Sequence, residues 1–142
     1  SKDSIAFYSN YGSSIDVAAP GGDNGPVYDG LYRKDPAGNY LNTRDFTYRT
    51  LSTYPTYSVG SNATTQFTDG KWHGYSYLHG TSMAAPKVAG IAGVIKAAHP
   101  EYSPAQVAAA IRQSALDYGK TGADPLYGAG EANIYNFLSK DK

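Results

Sequence analysis

One pentapeptide, Gly80-Thr81-Ser82-Met83-Ala84, combines the residue types that covalent acyl chemistry needs. It places a serine hydroxyl between a glycine turn and the start of a long apolar segment. The first turn of a helix carries amides without intrahelical partners and a positive potential, so the Ser82 amide can stabilise an oxyanion while the hydroxyl acts as a nucleophile. Pro86 is expected to be tolerated, because first-turn amides have no helical acceptor to lose. Serine is also a common N-cap, so these residues alone do not establish a catalytic role.

A serine nucleophile needs a proton acceptor, and none of the three histidines of the chain fits that role. His79 lies so near Ser82 in sequence that its imidazole would have trouble reaching the hydroxyl from the correct side. His99 follows the apolar segment, about 25 Å from Ser82 if that segment is a helix, and is expected to cap its C-terminal end. His73 falls in a polar region and is expected to be exposed.

Carboxylates offer no stronger catalytic candidate, and no metal ligand set is recognised. Asp16 precedes an Ala-Ala-Pro-Gly break and is expected to hydrogen-bond to the backbone. Five further aspartates are scattered through loops without the spacing of a calcium loop: Asp23, Asp29, Asp35, Asp45 and Asp69. The absence of cysteine excludes disulfides and thiolate metal sites. No cofactor is identified, and a calcium site elsewhere in the complete domain stays open.

Three helices are predicted around the serine. Residues 82–98 are apolar on nearly every face, which is typical of a helix buried in a core, and His99-Pro100 ends it. Ser103-Pro104 is an N-cap followed by proline at the first helical position, which predicts an amphipathic helix from Ala105 to about Leu116. A last short helix is predicted from Asn133 to Leu138.

The first half of the chain indicates short strands and a long surface insertion. Segments 5–9 and 15–18 are β-prone, are separated by a turn, and are predicted to be neighbouring strands. From 22 to 75 the chain is rich in Tyr, Thr, Asn, Gly and Asp, and alternation over 46–51 and 54–59 predicts a hairpin or two. The tyrosines there either pack the insertion or recognise an extended peptide.

Composition excludes some function classes. The 142 residues carry twelve basic and twelve acidic side chains, so no net field attracts nucleic acid or an anionic membrane. The most apolar stretch, Val88 to Ile95, is far shorter than the roughly 20 residues that span a bilayer, so no transmembrane segment is predicted. Length and apolar content are those of one globular domain.

Four motifs in order resemble the subtilisin-like serine protease family. Ala6 to Gly12 is similar to A-S-F-S-N-x-G, Asp16 to Gly21 to D-V-x-A-P-G, Gly80 to Gly90 to the nucleophile motif, and Tyr127 to Gly130 with Asn133 to Y-G-x-G-x-x-N. The resemblance covers about 5–21 and 76–139, the C-terminal part of the family's catalytic domain. Residues 22–75 align with none of the motifs, and long Tyr-rich insertions at this point are similar to those of bacterial leader peptidases that trim lantibiotic precursors.

The resemblance implies a fold. We expect an α/β architecture: the C-terminal part, residues 1–142, of a three-layer subtilisin-like domain with a parallel sheet, a buried nucleophile helix and a Tyr-rich insertion over 22–75. Residues 76–142 would hold the nucleophile helix and the C-terminal helices.

The resemblance also implies roles for a few residues. Ser82 would be the nucleophile and its amide one oxyanion donor, with Thr81 orienting that hole. His79 stands where the family usually has Asn and would line the substrate cleft. Lys87 stands where the family often has His, and a solvated side chain is expected.

The histidine base, its aspartate partner and the oxyanion asparagine lie upstream in the family and have no counterpart here. The implied partners are therefore an N-terminal fragment of the same protease and a peptide or protein substrate, and this chain alone is expected to be inactive. Ser1-Lys2-Asp3 leads straight into a strand-like run, which suggests a processed chain. The implied setting is an autoprocessed zymogen secreted by bacteria or held at their surface.

Two other function classes compete with a serine endopeptidase. A non-catalytic peptide-binding module derived from the same fold would keep the motifs without using the Ser82 hydroxyl. An α/β-hydrolase also carries a G-x-S-x-G elbow, but it needs a histidine beyond its acid, and His99 is the single histidine after Ser82. That last hypothesis is disfavoured.

Overall fold

The computed structural model describes residues 5–23, 48–55 and 74–140. The chain divides into two compact units, one made of Ser1–Gly21 with Gly80–Lys142 and the other of Gly22–His79. The elements in chain order are β1 (Thr50–Thr53), β2 (Tyr75–Leu78), α1 (Thr81–Ala98), α2 (Pro104–Ser114) and α3 (Ile134–Lys140).

Helix α1 confirms the helix that the apolar segment predicts. It ends where the residue before Pro100 leaves helical geometry, and the amide of the C-cap His99 donates to the Ile95 carbonyl at 2.8 Å. Lys96 in the last turn donates from its ammonium to the carbonyls of Pro100 and Tyr102, at 2.6 and 2.5 Å. A cation at this end also interacts favourably with the helix dipole.

Helix α2 starts at the predicted serine and proline. The Ser103 hydroxyl accepts from the Gln106 amide at 3.3 Å, and the Gln106 side chain accepts from the Ser103 amide at 2.8 Å, which forms a capping box. The helix ends at Ser114, before the predicted Leu116, because Leu116 instead exchanges two backbone hydrogen bonds of 2.8 Å with Glu131.

Helix α3 begins one residue after the predicted Asn133 and runs to Lys140. Asn133 stands just before it, and its side-chain oxygen accepts from the Asn136 amide at 3.1 Å. Asparagine is a preferred N-cap because that oxygen satisfies an otherwise unpaired amide of the first turn.

The core of this unit lies where the three helices meet. Its buried apolar side chains are Ile95 of α1, Val107 and Ile111 of α2, and Phe137 of α3, with Val17 packed against them. Ile95 is completely buried. Each such side chain contributes about 1.5–3 kcal/mol by leaving water, so this junction holds the helices in place.

Most of α1 is less enclosed than the sequence predicts. Within the described ranges Ile95 is its single buried residue, and the part-buried positions that pack near it belong to one stripe of the helix. The exposed positions include small and apolar residues: Ala85, Ala89, Gly90, Gly93, Val94 and Ala97. The apolar surface of α1 is therefore larger than the part that α2, α3 and their neighbours cover in this chain.

The prediction that segments 5–9 and 15–18 are neighbouring strands is wrong. Residues 5–9 form no strand, since the Ser9 amide turns back to the Ala6 carbonyl at 2.9 Å. Val17 and Ala18 instead bridge the C-terminal loop, Val17 antiparallel to Gly128 and Ala18 parallel to Glu131. A parallel sheet was expected, and in the described residues the bridge between Ala18 and Glu131 is its only parallel pairing.

The second unit contains an antiparallel ribbon. β1 pairs with β2 so that Thr50 lies opposite Leu78 and Thr53 opposite Tyr75. The second alternating segment, 54–59, is described only at its first two residues, where the Tyr54 amide donates to the Gly74 carbonyl at 2.7 Å. The rest of that segment and residues 46–47 lie outside the described residues. No helix in the described part of the chain has the length and apolarity to cross a bilayer.

Candidate active site

The turn that enters α1 depends on Gly80. Its φ is 142° and its ψ 168°, a backbone conformation that residues with a Cβ rarely adopt. The Gly80 carbonyl accepts from the Met83 amide at 3.0 Å, which starts the first turn. A conformation that glycine adopts without strain thus sets, at the entrance of the helix, the direction in which the next two residues project.

Ser82 is the second residue of α1 and is exposed. The N-cap Gly80 offers no side-chain acceptor, and the first turn carries no acidic residue to neutralise its positive potential. Among the described residues, no atom accepts from the Ser82 amide and none pairs with its hydroxyl. An exposed hydroxyl beside an uncapped amide at a helix N-terminus is a chemically competent arrangement for a nucleophile with one oxyanion donor.

Pro86 does not lie in the first turn, contrary to the sequence prediction. Because α1 begins at Thr81, Pro86 is an interior residue of the helix. A residue there would normally donate to the carbonyl four positions earlier, which is that of Ser82, and proline has no amide proton to donate. The Ser82 carbonyl is therefore without its standard helical donor.

The segment ending at Gly21 packs directly against the turn. The Gly80 amide donates to the Gly21 carbonyl at 3.0 Å. A Cβ on Gly21 would lie 2.7 Å from the Tyr8 hydroxyl and 2.8 Å from the Gly80 carbonyl oxygen, closer than real Cβ contacts. Glycine at 21 is thus needed for close approach, and it joins the Asp16 to Gly21 motif physically to the serine motif.

Lys87 makes a contact that the sequence does not reveal. Its side chain is exposed, as expected, but its ammonium donates to the Pro20 carbonyl at 2.7 Å across 67 positions of sequence. The side chain therefore links α1 to the same segment that holds Gly80.

The other predicted site residues lie in different parts of the chain. Thr81 is exposed as the first residue of α1, next to Ser82. His79 is half-buried and belongs to the unit Gly22–His79, so its place in a substrate cleft stays a prediction. His73 lies outside the described residues.

His99 caps the C-terminal end of α1, as expected, and its ring also packs against two aromatic neighbours. It is the C-cap of α1, and a helix of that length puts it about 25 Å from Ser82. Its ring stacks on Tyr102 at 4.3 Å and meets the edge of Phe137 at 5.8 Å. Its Nδ1 lies 3.1 Å from the Glu101 carboxylate, and a backbone hydrogen bond together with this contact lowers the pKa of Glu101.

Two carboxylates have roles that sequence reasoning misassigned or missed. The Asp16 carboxylate accepts from the Arg112 guanidinium at 3.0 Å, not from a backbone amide as predicted. Asp124 accepts from the amides of Leu126 at 2.7 Å, Tyr127 at 3.0 Å and Lys120 at 3.0 Å. The Tyr127 and Leu126 amides are the main reason that the pKa of Asp124 is lowered. The Asp-Pro dipeptide at 124–125 is a turn signal that points to it.

No group of three or more His, Cys, Asp or Glu side chains placed to hold a metal ion occurs among the described residues.

Comparison with known proteins agrees with the motifs. Residues 1–130 match the model of the subtilase family. An extracellular serine protease of Serratia marcescens is 41% identical over 69 residues, which are 49% of this chain and 7% of that protein. A solved lanthipeptide protease is 33% identical with a TM-score of 0.72, and the match covers 99% of this chain and 39% of that one. A protease of Pseudoalteromonas arctica is 30% identical with a TM-score of 0.63, covering 96% of this chain and 32% of that one.

The chain belongs to the subtilase family, and its relatives are serine proteases. This confirms the family and the partial α/β subtilase fold that the four motifs predict. The chain spans 39% of the lanthipeptide protease chain and a much smaller share of the Serratia protease.

Proposed function

We propose that this chain carries the nucleophile of a serine endopeptidase and that Ser82 is that nucleophile. The observation that carries the proposal is the exposed Ser82 hydroxyl at the uncapped N-terminus of α1, in a chain of the subtilase family. Thr81 orients the oxyanion hole beside the Ser82 amide, and His79 lines the substrate cleft.

The reaction passes through an acyl-enzyme. The Ser82 oxygen attacks the scissile carbonyl carbon as its proton passes to a base, and the C–N bond then breaks as that proton passes to the leaving amine. Water attacks the resulting ester, releases the acid product and restores the hydroxyl. The Ser82 amide donates to the oxyanion of each tetrahedral intermediate.

The base is supplied by sequence outside these 142 residues, together with its aspartate partner and an asparagine oxyanion donor. His99 is too distant, at the other end of α1. The chain spans 39% of the lanthipeptide protease chain, which leaves ample length for the missing groups.

The exposed face of α1 supports the same conclusion. Ala85, Gly93 and Val94 are exposed here, and Val94 is 44% exposed, although the helix is apolar nearly all round. A helix of that composition is stable when covered on all sides. The remaining part of the catalytic domain packs on this face, and the small residues allow its backbone to come close.

Two serines at helix starts provide a matched test of the nucleophile. Ser82→Ala is expected to lower kcat on the order of a million-fold, the loss known for subtilisin without its nucleophile. Ser103→Ala removes the N-cap of α2 and is expected to lower stability by about 1 kcal/mol while leaving kcat unchanged. Hydrolysis of a fluorogenic peptide measures kcat in both variants, and chemical denaturation measures their stability. Full activity in Ser82→Ala would refute the proposal and favour a peptide-binding module.

The origin of the missing groups has its own test. Mass spectrometry of an active preparation is expected to find, bound to these residues, further sequence that contains a histidine, an aspartate and an asparagine. Activity in a preparation that contains these 142 residues alone would contradict this part of the proposal.

The more specific substrate that we propose for this protease is a lanthipeptide precursor. The match to the lanthipeptide protease has a TM-score of 0.72 at 33% identity, and both values exceed those of the Pseudoalteromonas protease, 0.63 and 30%. The expected result is one cut in a lanthipeptide precursor and slow digestion of casein. Rapid digestion of casein at many sites, with no discrete cut in the precursor, would argue for a general secreted protease such as the extracellular relative from Serratia.

A further inference from the structure

Two hydrogen bonds hold successive carbonyls of one segment against the start of α1. The Gly80 amide donates to the Gly21 carbonyl at 3.0 Å, and the Lys87 ammonium donates to the Pro20 carbonyl at 2.7 Å. One donor precedes Ser82 by two residues and the other follows it by five. The nucleophile is therefore bracketed by two contacts to the same short stretch of backbone.

These contacts close a ring. It runs from Gly80 along α1 to Lys87, across the ammonium to Pro20, along one peptide bond to Gly21, and back to the Gly80 amide. Opening the ring at Lys87 removes one of the two hydrogen bonds that hold the Pro20–Gly21 segment against the start of α1. Because glycine is conformationally permissive, the φ of 142° at Gly80 depends on the contacts that hold the turn, and a looser segment lets that turn relax.

We propose that Lys87 is a positioning residue for the nucleophile, acting through the Pro20 carbonyl and the Gly80 turn. The inference rests on the proposed role of Ser82 as the nucleophile. Lys87 touches no reacting atom in this account. Its ammonium fixes the segment that fixes the turn, and the turn sets the angle at which the hydroxyl and the amide of Ser82 meet a bound carbonyl.

A second lysine on the same helix provides the control. Lys96 also donates to backbone carbonyls, those of Pro100 and Tyr102, but at the opposite end of α1. Both side chains are exposed at their contacts, so removing either one deletes a similar type of bond. The two differ in which end of the helix they secure.

The experiment measures kcat and KM on the active protein, with active sites counted by a fluorophosphonate probe so that unfolded molecules do not contribute. Lys87→Met is expected to lower kcat about fivefold, the change that one hydrogen bond of ordinary net strength produces, with KM unchanged. Lys87→Arg keeps a donor and is expected to recover most of the loss. Lys87→Gln, which is shorter, is expected to behave as Lys87→Met. Lys96→Met is expected to lower Tm and to leave kcat per active site at the wild-type value.

Two results would overturn the inference while leaving the nucleophile in place. One is a wild-type kcat per active site in both Lys87→Met and Lys87→Gln, with Ser82 still labelled by the probe. The other is an equal loss of kcat in Lys87→Met and Lys96→Met, which would show a general effect on the helix. If the probe labels the wild-type protein at a residue other than Ser82, the proposed function fails and this inference fails with it.

Discussion

Replacing Gly21 by alanine tests whether the Pro20–Gly21 segment sets the geometry of the turn. The new Cβ would lie 2.8 Å from the Gly80 carbonyl oxygen, whereas ordinary contacts begin at 3.4 Å, so the two have to separate by about 0.6 Å. Such a shift along the direction of the 3.0 Å bond from the Gly80 amide to the Gly21 carbonyl would lengthen it to about 3.6 Å, beyond hydrogen-bonding range.

The cost of this substitution has two parts. Overpacking of this kind costs about 1–3 kcal/mol, and the lost hydrogen bond about 1 kcal/mol more, so the free energy of unfolding is expected to fall by roughly 2–4 kcal/mol. A misplacement of 1 Å costs about a hundredfold in rate, so about half of that displacement is expected to cost on the order of tenfold in kcat per active site. Chemical denaturation and titrated peptidase assays measure the two effects.

Two further variants show whether the backbone contact is the cause. Tyr8→Phe combined with Gly21→Ala removes the hydroxyl at 2.7 Å but leaves the Gly80 carbonyl in the way, so the double variant is expected to remain impaired. Gly122→Ala places a Cβ where nothing lies within 4 Å but at a φ of 82°, so it is expected to lower stability and to leave kcat unchanged. Wild-type kcat in Gly21→Ala, or full recovery in the double variant, would refute the reasoning.

The remaining predictions concern stability. Ile95→Ala is expected to lower the free energy of unfolding by about 2–5 kcal/mol, because Ile95 is fully buried where the three helices meet; a loss below about 1 kcal/mol in denaturant titrations would mean that this junction is not a core. For Asp124, backbone donors lower the pKa of the folded carboxyl below its ordinary 3.8, so its ionised form stabilises the fold above about pH 4, and this contribution is lost as pH falls through the folded pKa. The Tm difference between wild type and Asp124→Asn is therefore expected to be largest near neutral pH and to vanish in acid; a difference that grows as pH falls would contradict this sign.

The helices could be predicted from the sequence because their signals are local. Ser103-Pro104 signals the start of α2 and His99-Pro100 the end of α1, and each signal lies within a few residues of the boundary. The strand pairings could not be predicted in the same way. Val17 pairs with Gly128, more than a hundred positions away, and a β-prone pattern states which residues extend but not which segment lies beside them.

In the candidate site, too, features with a local sequence signal could be predicted and long-range contacts could not. The sequence predicts a role for Ser82 and its glycine turn because the motif is contiguous, and the family match confirms the class of protein. The contact from Lys87 to the Pro20 carbonyl joins residues 67 positions apart and has no local signal. Pro86 is expected in the first turn from the sequence, but it is the sixth residue of α1, which begins at Thr81, and is therefore interior.

The burial of α1 shows another limit of prediction from sequence. An apolar pattern on every face predicts a covered helix, but composition does not say which residues provide the cover. In this chain α2, α3 and their neighbours cover one stripe of α1 around Ile95, and most of the other positions of α1 are exposed.

The site of phosphonylation tests the central claim most directly. The active protein is treated with a fluorophosphonate probe, digested, and mapped by tandem mass spectrometry. We predict one adduct, on the peptide containing Ser82, with loss of activity in proportion to labelling and with Ser103 unmodified. Inactivation with the adduct on another residue, or sustained proteolysis with Ser82 unmodified, would contradict the account.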